Sequence, residues 1–371
     1  MKSNYDELGK HIQLVDRRNS DMITDTVLGL SIDKFFMPSV ANVIGTDLSK
    51  YKLIMKNTFA CNPMHVGRDE RLPIALYADE NPAIVSPAYF MFEIKPESKL
   101  KPEFLMMWFR RPEFDRACWF RTDGSVRGGI TWDDICRLEV PVLSEEKQQE
   151  IIDSYKVIVD RIELMKKIND NLEAQARAIF DSTVSKFSNS QAIGSFGKVL
   201  TGKTPPTSNL AYYGNDIPFI KTPDMHGSIF VTTSECYLSV DGANSQANKY
   251  IPPNTVIVAC IGANAGEVAI TSYEAQTNQQ INSVITSYPC FLYFSIRSHT
   301  EELRALGDGS STMININKTS FENYKISSST PDELIPLEES LATIFNLILA
   351  NTKEIDTLSQ MKELIVSTLS L

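Results

Sequence analysis

The sequence predicts an α+β protein: two mixed α/β globules separated by a pair of long antiparallel coiled-coil helices, arranged as a pseudo-twofold internal repeat. Three observations predict it. Asp123-Gly124-Ser125 stands about 20 residues before a heptad segment that begins near Glu145, and Asp308-Gly309-Ser310 stands at a similar distance before a second one that begins near Pro336. Both heptad segments are long. Each follows a mixed block of roughly 120–145 residues, far above the roughly 20–50 residues of a solenoid unit. The four parts are residues 1–144, a first globule; 145–186, a central spacer helix; 187–331, a second globule; and 332–371, a C-terminal spacer helix.

In the first globule, Ile74-Ala75-Leu76-Tyr77, Ala83-Ile84-Val85-Ser86 and Tyr89-Phe90-Met91-Phe92-Glu93-Ile94 are apolar, β-branched and aromatic runs bounded by turn residues, and read as strands. Pro102 to Phe114, carrying Leu105, Met106, Trp108 and Phe109, reads as one compact helix. The central spacer helix follows. Ser144 is an N-cap, with Glu145 and Glu146 in the first turn. Ile151, Tyr155, Ile158, Ile162, Met165, Asn169, Leu172, Ala176 and Ile179 then alternate in steps of four and three, a coiled-coil seam.

In the second globule, Val256-Ile257-Val258-Ala259-Cys260-Ile261 and Asn282-Ser283-Val284-Ile285-Thr286 read as strands, and Phe291 to Ala305 occupies the place of the first globule's helix. Pro336 suits the first turn of the last helix, where a missing N–H costs nothing. Its seam runs Leu337, Leu341, Ile344, Ile348, Asn351, Ile355, Leu358, Lys362, Ile365 and Leu369. Two such stripes are most simply buried against each other; the plainer alternative is that each helix only caps its own globule. Asn169 and Asn351 interrupt the stripes. In an antiparallel pair they come close to opposite one another, where a matched amide pair would fix register; the plainer alternative leaves both at the solvent edge.

The net charge of −10 is awkward for nucleic acid binding, which ordinarily leaves a basic footprint. By region it is −2 over residues 1–145, −1 over 146–188, −4 over 189–335 and −3 over 336–371. If DNA is bound, a partner is expected to supply much of the positive charge. No apolar run is long enough to span a membrane, and the N-terminus has no signal-peptide pattern. The six cysteines are scattered, which argues against a disulfide framework and fits a reducing cytoplasm. No metal-ligand spacing of Cys or His occurs, so neither metal nor cofactor is expected.

Catalytic motifs are lacking. Asn62-Pro63-Met64 lacks the second proline and the aromatic with which adenine methyltransferases grip a flipped base. Gly202-Lys203-Thr204 lacks the spacing of a phosphate loop. Glu93-Ile94-Lys95 resembles a fragment of a nuclease site, but such tripeptides arise by chance. The chain reads as a non-enzyme.

Several segments suit DNA. Leu200-Thr201-Gly202-Lys203-Thr204-Pro205-Pro206-Thr207, followed by Tyr212 to Lys221, combines hydroxyls, backbone donors and lysines fit for phosphate and groove contacts; it reads equally as an exposed turn entering a strand. Thr277-Asn278-Gln279-Gln280 offers carboxamides, which bond adenine bidentately, or which satisfy buried backbone. Asp16-Arg17-Arg18-Asn19 suits guanine or phosphate, or is a solvated loop. Arg121 and Arg127 flank Gly124 in a basic loop whose second-globule counterpart has no Arg, so it is a structural turn first and a phosphate contact second.

Three runs in the second globule resemble the target-recognition domain of type I restriction–modification specificity subunits: Thr201-Gly202-x-Thr204-Pro205, Tyr212-Tyr213-Gly214-x-x-Ile217-Pro218-Phe219-Ile220-Lys221 and Asn278-Gln279-Gln280-Ile281-Asn282. So do Ile32 to Asn42, Ser86-Pro87-Ala88-Tyr89 and Leu105 to Asp115 in the first. The resemblance extends over nearly the whole chain, and it is the doubled order of the motifs that is specific. It implies two target-recognition domains, each reading half of a bipartite double-stranded DNA site. The helices would set the spacer and dock two adenine-N6 DNA methyltransferase subunits, with a motor-nuclease restriction subunit as a further partner. Methylation and cleavage would then reside in partner chains. The candidate DNA contacts become Arg17, Arg18, Asn19, Arg68, Tyr89, Arg121 and Arg127 in the first globule, and Lys203, Thr204, Tyr212, Lys221, Asn278 and Gln279 in the second. A competing reading is a two-headed coiled-coil scaffold that joins proteins and never touches DNA; net charge favours it and the loop motifs oppose it.

Overall fold

The computed structural model describes residues 4–40, 45–64, 66–122, 128–307 and 314–369. The two Asp-Gly-Ser motifs, Arg127, and residues 41 and 42 of the Ile32–Asn42 segment lie outside these. Two compact units emerge, Met1–Arg161 with Ser359–Leu371, and Ile162–Leu358.

The first unit holds strands β1 (Tyr5–Glu7), β2 (Ile12–Leu14), β3 (Val27–Leu30), β4 (Phe36–Pro38), β5 (Lys52–Ile54), β6 (Phe59–Cys61), β7 (Ile74–Leu76), β8 (Ala83–Val85), β9 (Phe90–Ile94) and β10 (Glu139–Pro141). Its short helices are α1 (Val66–Asp69), α2 (Pro102–Phe109), α3 (Pro112–Phe120) and α4 (Trp132–Cys136). An antiparallel sheet runs in the order β2-β9-β6-β7, a second sheet in the order β4-β3-β8-β5, and β1 pairs with β10. The core lies between the first sheet and α2, where Phe59 and Phe92 stack at 5.0 Å and Phe109 meets Phe59 edge-on.

The single helix expected over Pro102–Phe114 is two. Pro112 has no N–H for the carbonyl four residues back, and its ring crowds that carbonyl. The residue before it, Arg111, is extended (φ −74°, ψ 139°), and Pro112 instead starts α3.

In the second unit the strands are β11 (Asn189–Ala192), β12 (Gly197–Thr201), β13 (Tyr213–Ile220), β14 (Phe230–Val231), β15 (Tyr237–Leu238), β16 (Val256–Ala259), β17 (Val268–Thr271), β18 (Gln276–Thr277), β19 (Ile281–Thr286) and β20 (Lys325–Ser328). The sheets run β12-β19-β16-β17-β14 and β15-β13-β18, and β11 pairs with β20. The repeat is therefore topological. β12, β19, β16 and β17 follow the order of β2, β9, β6 and β7, and the parallel pair β13–β18 matches β3–β8. β14 is an addition on the edge.

The long helices are α5 (Glu145–Val184) and α10 (Pro331–Thr368). The Ser144 hydroxyl accepts the Lys147 N–H at 3.3 Å, so α5 is capped as the sequence implied. α10 starts five residues earlier than expected, at Pro331, which leaves Pro336 inside the helix rather than in its first turn. The carbonyl of Thr330 accepts the N–H groups of Glu333 and Leu334 and starts the helix; the bond that Pro336 lacks is the one to Asp332, one turn in. Between them the second unit also holds α6 (Val240–Asn244), α7 (Pro289–Ser298), α8 (Thr300–Gly307) and α9 (Lys318–Asn323).

The two long helices run antiparallel. In the second unit Ala176 and Phe180, late in α5, share a core with Leu334, Leu337 and Leu341, early in α10. In the first unit Ile151, Ile152 and Tyr155, early in α5, pack in one core with Ile365, Val366 and Leu369, at the end of α10. Asn351 Nδ2 donates to Asn169 Oδ1 at 2.8 Å, both side chains half-buried.

Candidate nucleic-acid interface

Strand register brings the candidate loops of each globule to one end of its main sheet. In the second globule Thr201, the last residue of β12, lies opposite Asn282, and Ala259, the last of β16, opposite Ile281, the first of β19. The chain therefore leaves β12 and β16 and enters β19 at the same end. Lys203 and Thr204 follow β12 there, and Asn278 and Gln279 precede β19.

Those two segments touch. The Lys203 N–H donates to the Thr277 carbonyl at 2.9 Å, and the Thr204 hydroxyl donates to Gln279 Oε1 at 2.6 Å. Gly202 sits so close to the second segment that a Cβ there would lie 2.1 Å from the Asn278 carbonyl oxygen. Only glycine allows this approach. Asn278 is buried. Its Nδ2 donates to Gln280 Oε1 at 3.0 Å and its Oδ1 accepts the Gln280 N–H, so its amide shapes the loop. Gln279 is exposed at the tip.

Lys221 follows β13, whose last residues pair with β18, so it joins the cluster. Its backbone N–H donates to Asp224 Oδ2 at 2.7 Å, and its side chain is half-buried. Tyr212 is tied in through its carbonyl, which accepts the Ser239 N–H at 3.0 Å. Two further members carried no motif signal. Lys249 Nζ donates to the Thr201 carbonyl at 2.9 Å, and Gln246 Nε2 donates to the Lys203 carbonyl at 2.7 Å. Topology alone places them here. Among the described residues no carboxylate forms an ion pair with Lys203, Lys221 or Lys249.

The first globule repeats the placement with different chemistry. Leu14 of β2 lies opposite Phe92, and Cys61 of β6 opposite Phe90, so Arg17, Arg18 and Asn19 after β2, Arg68 after β6 and Tyr89 before β9 share one end of the sheet. Here the cations are paired. Arg17 bonds Glu93 and Arg18 pairs with Asp16 at 2.9 Å, while Arg68 pairs with its neighbour Asp69 at 2.6 Å. Asn19 does not face solvent. It is fully buried, and its Nδ2 donates to the Thr24 carbonyl at 2.9 Å, so it organises the loop rather than presenting its amide to a base. Lys52 Nζ donates to the Tyr89 carbonyl at 2.6 Å and joins the two segments as Gly202 does in the second globule. Burial lowers the Lys52 ammonium and raises the Tyr89 phenol from their ordinary values. Lys50-Tyr51-Lys52, an alternation of cation and aromatic, is the sequence signal that could have revealed Lys52. Arg121 lies at the C-terminal end of α3, exposed, with Nη2 3.4 Å from the Arg137 carbonyl.

Among the described residues no cluster of three or more His, Cys, Asp or Glu could hold a metal, and no helix is long and apolar enough to cross a membrane.

Fold and site define a class: a duplicated α+β subunit in which each globule gathers a polar loop cluster at the same end of its sheet and stands on a shared helix pair. Residues 188–333, the second globule, match the family model described as the type I restriction modification DNA specificity domain. The chain is 27% identical to the type I restriction enzyme HindI specificity subunit of Haemophilus influenzae, an alignment that covers 91% of each chain. It is 24% identical to the type I restriction enzyme MjaIX specificity subunit of Methanocaldococcus jannaschii over 44% of this chain and 38% of that one. Its fold is that of the type I restriction–modification S subunit from M. genitalium, with a TM-score of 0.62 and 11% identity over 98% and 95% of the two chains. Over most of its length the chain is thus similar to type I restriction–modification specificity subunits.

Proposed function

We propose that this chain is the DNA-recognition subunit of a type I restriction–modification complex and that each globule reads one half of a bipartite site in double-stranded DNA. The observation that carries the reading is the doubled loop cluster: the segments after the first sheet strand and before the strand beside it meet at the same place in both globules. The second cluster presents Lys203, Lys221 and Lys249 without ion-paired carboxylates, together with the exposed amide of Gln279 and the Thr204 hydroxyl. Lysines of this kind suit phosphate, and the amide suits a base edge. The first cluster presents Arg18, Arg68 and Tyr89, with Arg17 held by Glu93 as support.

The helix pair sets the distance between half-sites and docks two copies of an adenine-N6 DNA methyltransferase in the cytoplasm. A motor-nuclease restriction subunit joins the same assembly, and methylation and cleavage reside in these partners. The Asn169–Asn351 bond supports a fixed register of the helices. Recognition falls to residues 1–144 and 187–331, and spacing to 145–186 and 332–371.

Methylome sequencing of cells with and without the gene tests the proposal. Loss of one bipartite adenine motif, with a constant spacer, is the expected result. An unchanged methylome in cells that express an active methyltransferase partner would overturn it.

A further inference from the structure

Each long helix sends one buried polar side chain into the N-terminus of a globular helix. In the first unit this is Gln148 of α5, fully buried, whose Oε1 accepts the N–H of Lys101, the residue that caps α2, at 2.8 Å. Its Nε2 donates to the Lys99 carbonyl at 3.0 Å and to the Leu143 carbonyl at 2.9 Å. In the second unit it is Glu338 of α10, only 8% exposed, whose Oε1 accepts the N–H of Cys290 at 2.9 Å and whose Oε2 accepts the N–H of Phe291 at 2.8 Å. These are N–H groups in the first turn of α7, which have no partner within that helix. α2 and α7 hold equivalent places: each follows the strand that starts at its globule's loop end, β9 and β19.

Besides these bonds, α7 meets the long helices through ring packing and, near its C-terminal end, the Arg297–Glu173 ion pair. The rings that meet there, Phe180 with Phe294 and Phe294 with Phe345, are less directional contacts and can shift by small amounts without losing a partner. Directional bonds to the helix terminus cannot, because a shift of about 1 Å breaks hydrogen bonds that need about 2.7–3.2 Å. In both units the stem of the globule is thus pinned at one helix end by a side chain that belongs to the spacer.

We propose that Gln148 and Glu338 are positioning residues that fix the angle at which each globule leaves the helix pair, and so help set which spacer length between half-sites is accepted. This rests on the DNA-recognition reading above. Neither residue touches DNA in it, so half-site sequences should be unaffected.

The test is methylome sequencing of cells carrying the methyltransferase partner with the parent chain, Glu338→Ala, Glu338→Gln or Gln148→Ala. The parent should methylate at one spacer length. Glu338→Ala and Gln148→Ala should add sites whose half-site bases are unchanged and whose spacer is one base pair longer or shorter, at a tenth or more of the parent's frequency. Glu338→Gln, which keeps one acceptor oxygen, should restore most of the selectivity. If Glu338→Ala does not accumulate as folded protein, Gln148→Ala decides, with Glu338→Gln as the control that keeps the spacer sharp. A single unchanged spacer in every folded variant overturns the positioning role. Absence of any bipartite motif with the parent chain would instead overturn the recognition reading.

Discussion

The Asn169–Asn351 bond can be isolated with a double-mutant cycle. Both side chains are half-buried, so the bond falls in the ordinary range, about 1 kcal/mol. A leucine at either position would gain about 1 kcal/mol, half the value of a fully buried leucine. Asn169→Leu or Asn351→Leu alone should therefore leave stability nearly unchanged, since the gain offsets the lost bond. The double variant gains twice and loses the bond once. It should be more stable by about 1 kcal/mol, with a coupling energy of about 1 kcal/mol. Urea denaturation of the four chains, followed by helix circular dichroism, measures this. The second measurement is spacer preference. A slip of one heptad moves the helices by about 10 Å, at about 1.5 Å per residue, close to three base pairs at about 3.4 Å each. The double variant should accept more than one spacer length. Additive effects, with coupling below about 0.3 kcal/mol, would show that the amides do not act as a pair, and one sharp spacer in the double variant would refute their role in register.

Four further outcomes follow from the geometry. Lys34 is buried, pairs with Asp115 at 2.8 Å and donates to the Phe109 carbonyl; Lys34→Met leaves the Asp115 carboxylate without its cation, with the Leu72 N–H still bonded to Oδ1, and should destabilise the first unit by about 3 kcal/mol in urea titration. Gly202→Ala puts a methyl into the Asn278 carbonyl and should abolish recognition of one half-site while leaving the other intact, as read by methylation of hybrid sites. Lys203→Ala and Lys221→Ala should each reduce the slope of log K against log salt by about 1 if the lysine meets a phosphate, measured by anisotropy at several salt concentrations. Burial raises the Glu338 carboxyl above its ordinary value of 4.5, so the folded chain retains a proton that the unfolded chain has lost. Stability from this group is full below that value and lost as pH rises through the raised one, so Glu338→Gln should gain on the parent from about pH 4.5 upward, and parallel stability curves would contradict this.

The long helices were legible because a heptad stripe is a local pattern, and their pairing followed from the need to bury it. Their ends were less so. Pro336 looked like a first-turn proline because Pro331 stands before a polar stretch, Asp332-Glu333, that carries no stripe. The break between α2 and α3 was missed although Pro112 announces it, since the apolar pattern runs through it from Leu105 to Phe114. The loop residues were harder. Thr204 and Gln279 stood out by type, but their contact is 75 positions apart in sequence, and nothing local to Gln246 or Lys249 marks them as neighbours of Lys203. Asn19 misled because an Asn beside two arginines looks exposed, whereas its amide is consumed by the Thr24 carbonyl. The internal repeat was seen through its Asp-Gly-Ser motifs and heptads, yet the stronger repeat is in strand order, which no residue pattern displays.

The charge distribution explains how an acidic chain can serve DNA. Residues 189–335 contain eight cationic side chains and twelve anionic ones. Three of the eight, Lys203, Lys221 and Lys249, stand at one loop cluster. The others are engaged elsewhere or remote from it; Arg297 is bound to Glu173 and Lys318 to Glu322. Three phosphate contacts give a salt slope of about −2.7, against about −5 to −9 for a protein making six to ten. On the proposed reading, a globule so equipped would select a half-site but hold it weakly. Firm binding on that reading would come from joining two such globules in one chain, since a tethered second contact is made at high effective concentration, and from cations on the partner chains. If each cluster is weak alone, spacing would weigh heavily in recognition, and the proposed roles of the Asn169–Asn351 bond and of the caps from Gln148 and Glu338 would then bear on specificity alongside the side chains proposed to face the bases.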